Sequence, residues 1–357
     1  MLKTLSSKIA LPLCAAMFFF AFSACQVEDE GQFFLNSRLE IKFFGANREA
    51  ERLCRQEITR FLEEFEQKAS AHLEDSEVSK FNKAKAGERV QLSERVYKLF
   101  ELSMEYYQKT GGAFNHCLYG LSKLWGFMES DGIYGIEELP SQQQVEQLLS
   151  YADPSLIELS DGAAVKFHDA VKVDFGAVAK GYALDVCGQI ARSYGIKSAL
   201  FNMAGNVYAI GYKDDGAKFS IGITDPRMIE TGEEIFAGVR LADTSISVSG
   251  DYERYFLKGG IRYCHIIDPF TGWPVNTGNS VSGIISAIVI SQNAAQADAF
   301  STAVMVSGPE EGKRLLEQNG LCGIIITADK KYYVVGDVEL FGVKNYERAE
   351  WEASFGR

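Results

Sequence analysis

"SALFNMAGNVYAIGY" (198–212) carries two short alternating runs, 198–203 and 206–212, on either side of Ala204-Gly205. Alternation with period two is the mark of a strand, and a small residue with Gly between two such runs is turn chemistry. The neighbouring sequence repeats the pattern in "LIEL" (156–159), "AVKF" (164–167) and "KFSIGI" (218–223), and one helical stretch, from about 177 to 194, interrupts it. A second strand-rich stretch spans 235–291. The helical "NAAQADAFSTAVMVSG" (293–308), a short helix and a closing hairpin around "ADKK" (328–331) follow. Upstream, "RLEIKFFG" (38–45) alternates, and 47–70 places Leu53, Ile58, Phe61, Leu62 and Phe65 at helical spacing behind Asn47, a good N-cap. A second helix starts at Ser93 and stops at Gly111-Gly112, and "PSQQQVEQLL" (140–149) reads as a third. Runs of strands and runs of helices give the α+β class: antiparallel sheets packed with helices in a single intertwined domain. The two stretches of sheet followed by helix hint at an internal duplication.

Composition narrows the function. The 357 residues are 46% hydrophobic and 24% charged, as in globular proteins, and the net charge of −12 argues against a general nucleic-acid binder. It leaves room for a local phosphate site. Lys3 and Lys8 precede the apolar "IALPLCAAMFFFAF", which is too short to span a bilayer and reads as a secretory signal over 1–24. Ser23-Ala24-Cys25 resembles a bacterial lipobox, which implies a lipid on Cys25, a tether over 25–37, a functional domain over 38–357, and a location on a bacterial membrane facing the periplasm. Of seven cysteines no two have CxxC spacing, so neither a zinc site nor a disulfide scaffold is expected, and buried thiols are the reading.

Four stretches could carry chemistry. In "KVDFGAVAKGYALD" (172–185) a strand ends at Asp174-Phe175, Gly176 breaks it, and a helix begins with Lys180 in its first turn. A helix N-terminus attracts anions, and a phosphate there would offset the cost of the lysine. In the 293–308 helix, Asp298 and Thr302 are four apart and share a face that Ala295, Ala299 and Val306 line or flank. A carboxylate in such surroundings needs a partner, a proton or a metal, and a carboxylate with a hydroxyl and a carbonyl is a hard oxygen set suited to Mg2+. "SISVSGDYERYFLKGG" (245–260) breaks at Gly250-Asp251 and reads as a hairpin. "YCHIIDPFTGWPV" (263–275) holds His265 ahead of two Asp-Pro and Thr-Gly turn pairs. Each also has an ordinary structural reading; their order along the chain is what distinguishes them.

Taken in sequence, "SEVSKFN" (76–82), "TGGAFN" (110–115), "LWGF" (124–127), "DFGAVAKGYALD", "NMAGNVYAIG", "SGDYERYF", "HIIDPFTGWPV" and "ADAFSTA" resemble the motifs of the ApbE-type FAD:protein FMN transferases. The resemblance implies a tunnelling-type α+β fold and a Mg2+-dependent cleavage of FAD, with FMN passed to a threonine of an acceptor protein and AMP released. It implies Mg2+ held by Asp298, Thr302 and the Ala177 carbonyl, and His265 as general base. Phe44, Ala113, Phe114, Asn115, Asp174, Lys180 and Ile267 match positions lining the FAD site. His72 stands where the family has an aromatic against the flavin, Asn115 where it has Asp, and His116 where it has Pro. These departures keep open hydrolysis of FAD by water, and a third reading is an FAD-binding lipoprotein without turnover.

Overall fold

The computed structural model describes residues 32–35, 37–128, 134–278 and 282–351. The residues read as signal and lipidation site lie outside these. The described residues reach into the segment read as tether: strand Gln32–Phe34 pairs with Ser37–Phe43, and Phe34 is buried.

A nine-stranded sheet forms the frame. Its strands lie in chain order: Gln32–Phe34, Ser37–Phe43, Ala199–Met203, Asn206–Ile210, Thr244–Gly250, Ile284–Ser291, Cys322–Thr327, Lys331–Val335 and Glu347–Arg348. Every pairing is antiparallel except the last, which is parallel. The topology repeats. Each half is a hairpin, an excursion containing helices, and a second hairpin beside the first, and the halves join through Asn206–Ile210 and Thr244–Gly250. The duplication hinted at by the sequence is therefore visible in the strand order.

The sheet is covered on both sides. Helices Arg48–Ala69, Ala179–Ser193 and Ala294–Ser307 bury one face with Ala199, Phe201, Ala287 and Val289. A three-stranded sheet (Leu340–Phe341, Ile235–Leu241, Phe219–Thr224) covers the other, over Leu200, Val207, Ile288 and Ile324. Central strands are consequently apolar on both faces: Ala199–Met203 and Asn206–Ile210 are buried throughout. A third core, built on Leu121, Trp125, Val145, Tyr263 and Ile267, sits under the 265–275 loop.

Local signals behave as chemistry predicts. The Asn47 side chain accepts from the Glu49 N–H at 2.8 Å, and Ser141 with Gln144 forms a complete capping box. Ser93 is the N-cap residue of Glu94–Lys109. Helices Glu77–Lys83 and Tyr119–Leu124, within or beside matched motifs, are too short to show a period. Cys54, Cys117, Cys187 and Cys264 are buried free thiols, and Cys322 is half-buried.

Candidate active site

Two helix N-termini meet beneath the central strand. The first follows a tight turn. Asp174 N–H donates to the His116 carbonyl at 2.9 Å, the Asp174 carboxylate accepts from Gly176 N–H at 2.9 Å, and Val178 and Ala179 N–H both return to the Phe175 carbonyl. Lys180 then lies in the opening turn of Ala179–Ser193. The second helix, Ala294–Ser307, is capped by Asn293 and by Asp185, whose carboxylate accepts from Ala294 and Ala295 N–H at 2.8 and 2.9 Å. Burial raises Asp185 to about 6 despite those bonds. The last residue of the 172–185 motif thus caps the helix that carries Asp298.

Gly181 makes the approach possible. A Cβ there would stand 2.2 Å from the Ala294 carbonyl oxygen. Because the backbones come this close, Gly181 N–H donates to Asp298 Oδ2 at 3.0 Å in place of the carbonyl four residues back, which is Ala177's. Asp298 is 4% exposed. Its carboxylate does not face the alanines that the helical spacing suggested. It faces the Ser247 hydroxyl, and Ser249, two residues further along the same side of Thr244–Gly250, meets the helix at Ser301 and Thr302. Ser247 Oγ lies 3.3 Å from Asp298 Oδ1 and 2.7 Å from Asn206 Oδ1. Ser249 Oγ lies 2.8 Å from Ser301 Oγ and 3.3 Å from Thr302 Oγ1.

This donor set fits a hard cation. Asp298 has no salt bridge among the described residues, Thr302 shares its face, and Ala177 has lost its helical donor. No group of three or more His, Cys, Asp or Glu side chains among the described residues could hold a metal. An ion here would rest on mixed carboxylate, hydroxyl and carbonyl oxygens, which suit Mg2+ better than a transition metal. Asn206 Nδ2, buried without a partner, gives the same pocket a spare donor.

His265 enters from the second half. Strand Ile261–Cys264 ends just before it, and its N–H donates to the Arg254 carbonyl at 2.9 Å, extending the pairing with Tyr255–Lys258. The segment after it is a built loop. Val275 N–H donates to the Ile266 carbonyl at 3.0 Å, Gly272 N–H to the Asp268 carbonyl at 2.8 Å, and Phe270 N–H to Asp268 Oδ1 at 2.8 Å. Trp125 Nε1–H holds the Gly272 carbonyl at 2.9 Å. Gly272 has φ +75°, and a Cβ there would meet Val145 at 2.5 Å. His265 Nδ1 is buried without a partner. Burial first, then the charges of Arg254 and Lys180, push its imidazole down to about 3.

Lys180 and Asp298 also act on Glu253, which the sequence reading passed over. Its side chain reaches solvent, yet the surrounding protein desolvates it enough to raise it to about 7, against the pull of Lys180 and Arg254 and with the push of Asp298. The signal was present in "SGDYERYF", where a hairpin reading hid a charged triplet. Asp251 anchors that triplet through a two-pronged pair with Arg227 at 2.7 and 2.8 Å and a 3.2 Å contact from Arg262.

Ala177, Lys180, Asp298, Thr302 and His265 therefore gather at one place. Ala113 and Phe114 are buried, and Asn115 bonds to Ala152 and Cys117 while its neighbour His116 bonds Asp174. Ile267 is buried in the core under the loop. Phe44 packs over the sheet's opposite face, 5.2 Å from the Phe219 ring. His72 is exposed on a separate surface cavity of about 500 Å³ that Lys83, Lys85, Lys123 and Lys172 also line.

The ApbE family model matches residues 35–325, which takes in the central strands of the sheet and every element of the site. The chain belongs to the ApbE family. It is 30% identical to the FAD:protein FMN transferase of Treponema pallidum over 294 residues, 77% of each chain. It is 29% identical to that of Vibrio cholerae, over 76% of this chain and 78% of the relative. Among solved structures, the flavin transferase ApbE of Vibrio cholerae superposes with a TM-score of 0.74 at 26% identity, covering 86% of this chain and 96% of that one. The ApbE protein of Thermotoga maritima gives 0.73 at 29% identity, covering 87% and 95%. The ApbE fold and the α+β architecture read from the strand pattern are the same object.

Proposed function

We propose that this chain is an FAD:protein FMN transferase that cleaves FAD with Mg2+ and passes FMN to a threonine hydroxyl of an acceptor protein, releasing AMP. The observation that carries the reading is the convergence of Lys180, His265 and the Asp298–Thr302 pair across two halves of an ApbE fold. Mg2+ held by Asp298, Thr302 and the Ala177 carbonyl would supply positive charge to the pyrophosphate oxygens. Lys180, at a helix N-terminus, binds and orients the same anion. His265 is neutral and its Nδ1 has no protein partner, so it is free to take the proton of the incoming threonine hydroxyl. Burial does most to hold its basicity down, and Arg254 and Lys180 add to it; a bound pyrophosphate would offset those two cations and restore part of the basicity. The threonine oxygen joins the FMN phosphorus, the bridging P–O bond breaks, the proton passes to His265, and AMP leaves with the bond's electrons.

The cell context follows from the leader: we place the enzyme on a bacterial membrane, facing the periplasm through a lipid on Cys25. The test gives the purified full-length protein FAD with Mg2+ or with EDTA, with and without a threonine-bearing acceptor. Acceptor mass rising by one FMN less one water, only with Mg2+, supports transfer. Free FMN and AMP appearing equally fast with and without acceptor would mean that water is the acceptor.

A further inference from the structure

Lys166 has no exposed side-chain surface and, among the described residues, no carboxylate within ion-pair distance. Its ammonium donates to three backbone carbonyls instead: Asn82 at 3.0 Å, Val171 at 3.0 Å and Asp169 at 3.3 Å. Three N–H bonds meet three acceptors, so the count closes only while the amine is protonated. The Asn82 side chain completes the arrangement: its Nδ2 donates to the Val173 carbonyl at 2.9 Å and its Oδ1 accepts from Val173 N–H at 2.7 Å. Asn82, Val171 and Val173 are all buried. Burying an ammonium among neutral carbonyls is costly, and a core lysine with no ionic partner calls for a reason beyond packing. The segment it fastens, 169–173, runs straight into Asp174, Phe175, Gly176 and Ala177.

We infer that Lys166 and Asn82 form a buried clamp that positions the Asp174–Ala177 turn for FAD binding. They act as positioning residues. The inference rests on the flavin reading for what the turn binds, and on hydrogen bonds alone for the clamp itself. Burial, with Lys172 and Lys85 adding repulsion and Asp169 and Glu88 opposing it, lowers the Lys166 amine to about 8. The deprotonated amine has two N–H groups, so one of the three carbonyls is released as pH rises through that value.

The experiment compares wild type with Lys166→Met in the full-length protein. FAD affinity is followed by flavin fluorescence between pH 6.5 and 9.5, and backbone amide exchange is followed over 169–178. Replacing a buried charge by an apolar chain of similar length shifts melting temperature in either direction, so stability does not decide the matter. The expected result is about ten-fold weaker FAD binding for Lys166→Met at pH 7, from loss of charge-assisted bonds. Wild-type affinity should fall as pH climbs past about 8, a limb that the variant lacks. Equal affinity and equal pH profiles would overturn the proposal. Should Lys166→Met not accumulate folded, Asn82→Ala cuts the same clamp at Val173, and FAD affinity equal to wild type would overturn it equally. Should wild type bind no FAD at all, the flavin reading fails. The clamp is then judged by exchange alone: faster exchange at 173–176 in the variant supports it, and unchanged exchange removes it.

Discussion

Gly181→Ala tests the contact on which the site depends. The added Cβ would stand 2.2 Å from the Ala294 carbonyl oxygen, 2.6 Å from its carbon and 2.8 Å from Ala295 Cα, all backbone atoms that cannot rotate away. Restoring ordinary contact requires helices Ala179–Ser193 and Ala294–Ser307 to part by roughly 1 Å, and overpacking of this kind costs about 1–3 kcal/mol. The separation also stretches Gly181 N–H to Asp298 Oδ2 and the Asp185 bonds to Ala294 and Ala295, adding about 1 kcal/mol for a weakened cap. Alanine's better helix propensity returns up to about 1 kcal/mol. The net loss is then about 1–3 kcal/mol, or several degrees in melting temperature for a domain of this size. Activity should suffer more than stability, because an error of about 1 Å in the placement of catalytic groups costs on the order of a hundred-fold. Thermal melting followed by fluorescence gives the first number, and the rate of Mg2+-dependent FAD cleavage gives the second. A Gly181→Ala protein that melts and turns over like wild type would refute the close approach of the two helices and the Mg2+ site proposed to rest on it.

Asp298→Ala should keep FAD binding and lose the Mg2+-dependent cleavage of FAD; chromatography of FMN and AMP with Mg2+ or EDTA checks this. His265→Ala should bind FAD and slow transfer by about 10²–10⁴-fold, as loss of a general base does, with single-turnover kinetics as the measure. Asp251→Asn should cost about 3–5 kcal/mol, because Arg227 and Arg262 are left without their shared carboxylate; denaturant unfolding reads it. His116 is buried with neither ring nitrogen bonded, and burial lowers it to about 3 from an ordinary 6.5. The unfolded chain binds the extra proton first, so this group's contribution falls as pH drops below about 6.5, reaching a loss of about 2 kcal/mol at pH 5. His116→Phe should show a correspondingly smaller fall in stability between pH 7.5 and 5, measured by urea unfolding.

Much of this was legible in the sequence, and the rest was hidden for identifiable reasons. Strand and helix runs could be read because apolar spacing is a local property, as the caps at Asn47 and Ser141 also are. Asp298 and Thr302 could be paired because four residues on a helix make one face. Asp298's actual surroundings could not be read, since the hydroxyls of Ser247 and Ser249 come from a strand some fifty residues earlier and meet the helix only in three dimensions. Glu253 was masked because a charged triplet after Gly250 looks like any hairpin. Lys166 was masked by its place in "AVKF": an alternating strand predicts a lysine pointing to solvent, and the three carbonyls that hold it inside lie on two other segments. Phe44 shows the converse: a match to the family places it at the site, and just past the end of Ser37–Phe43 its ring packs against Phe219 in the core of the other sheet face.

The duplicated halves have a consequence for how the protein matures. Each half contributes one helix terminus, and the bond between Gly181 and Asp298 spans 117 residues of chain. Neither half holds a usable site by itself. Flavin capture is therefore a late event in folding, gated by the docking of the two hairpin-and-helix units, and a chain caught partly assembled would be unable to consume FAD. Bound flavin then serves as an optical report that the seam has closed.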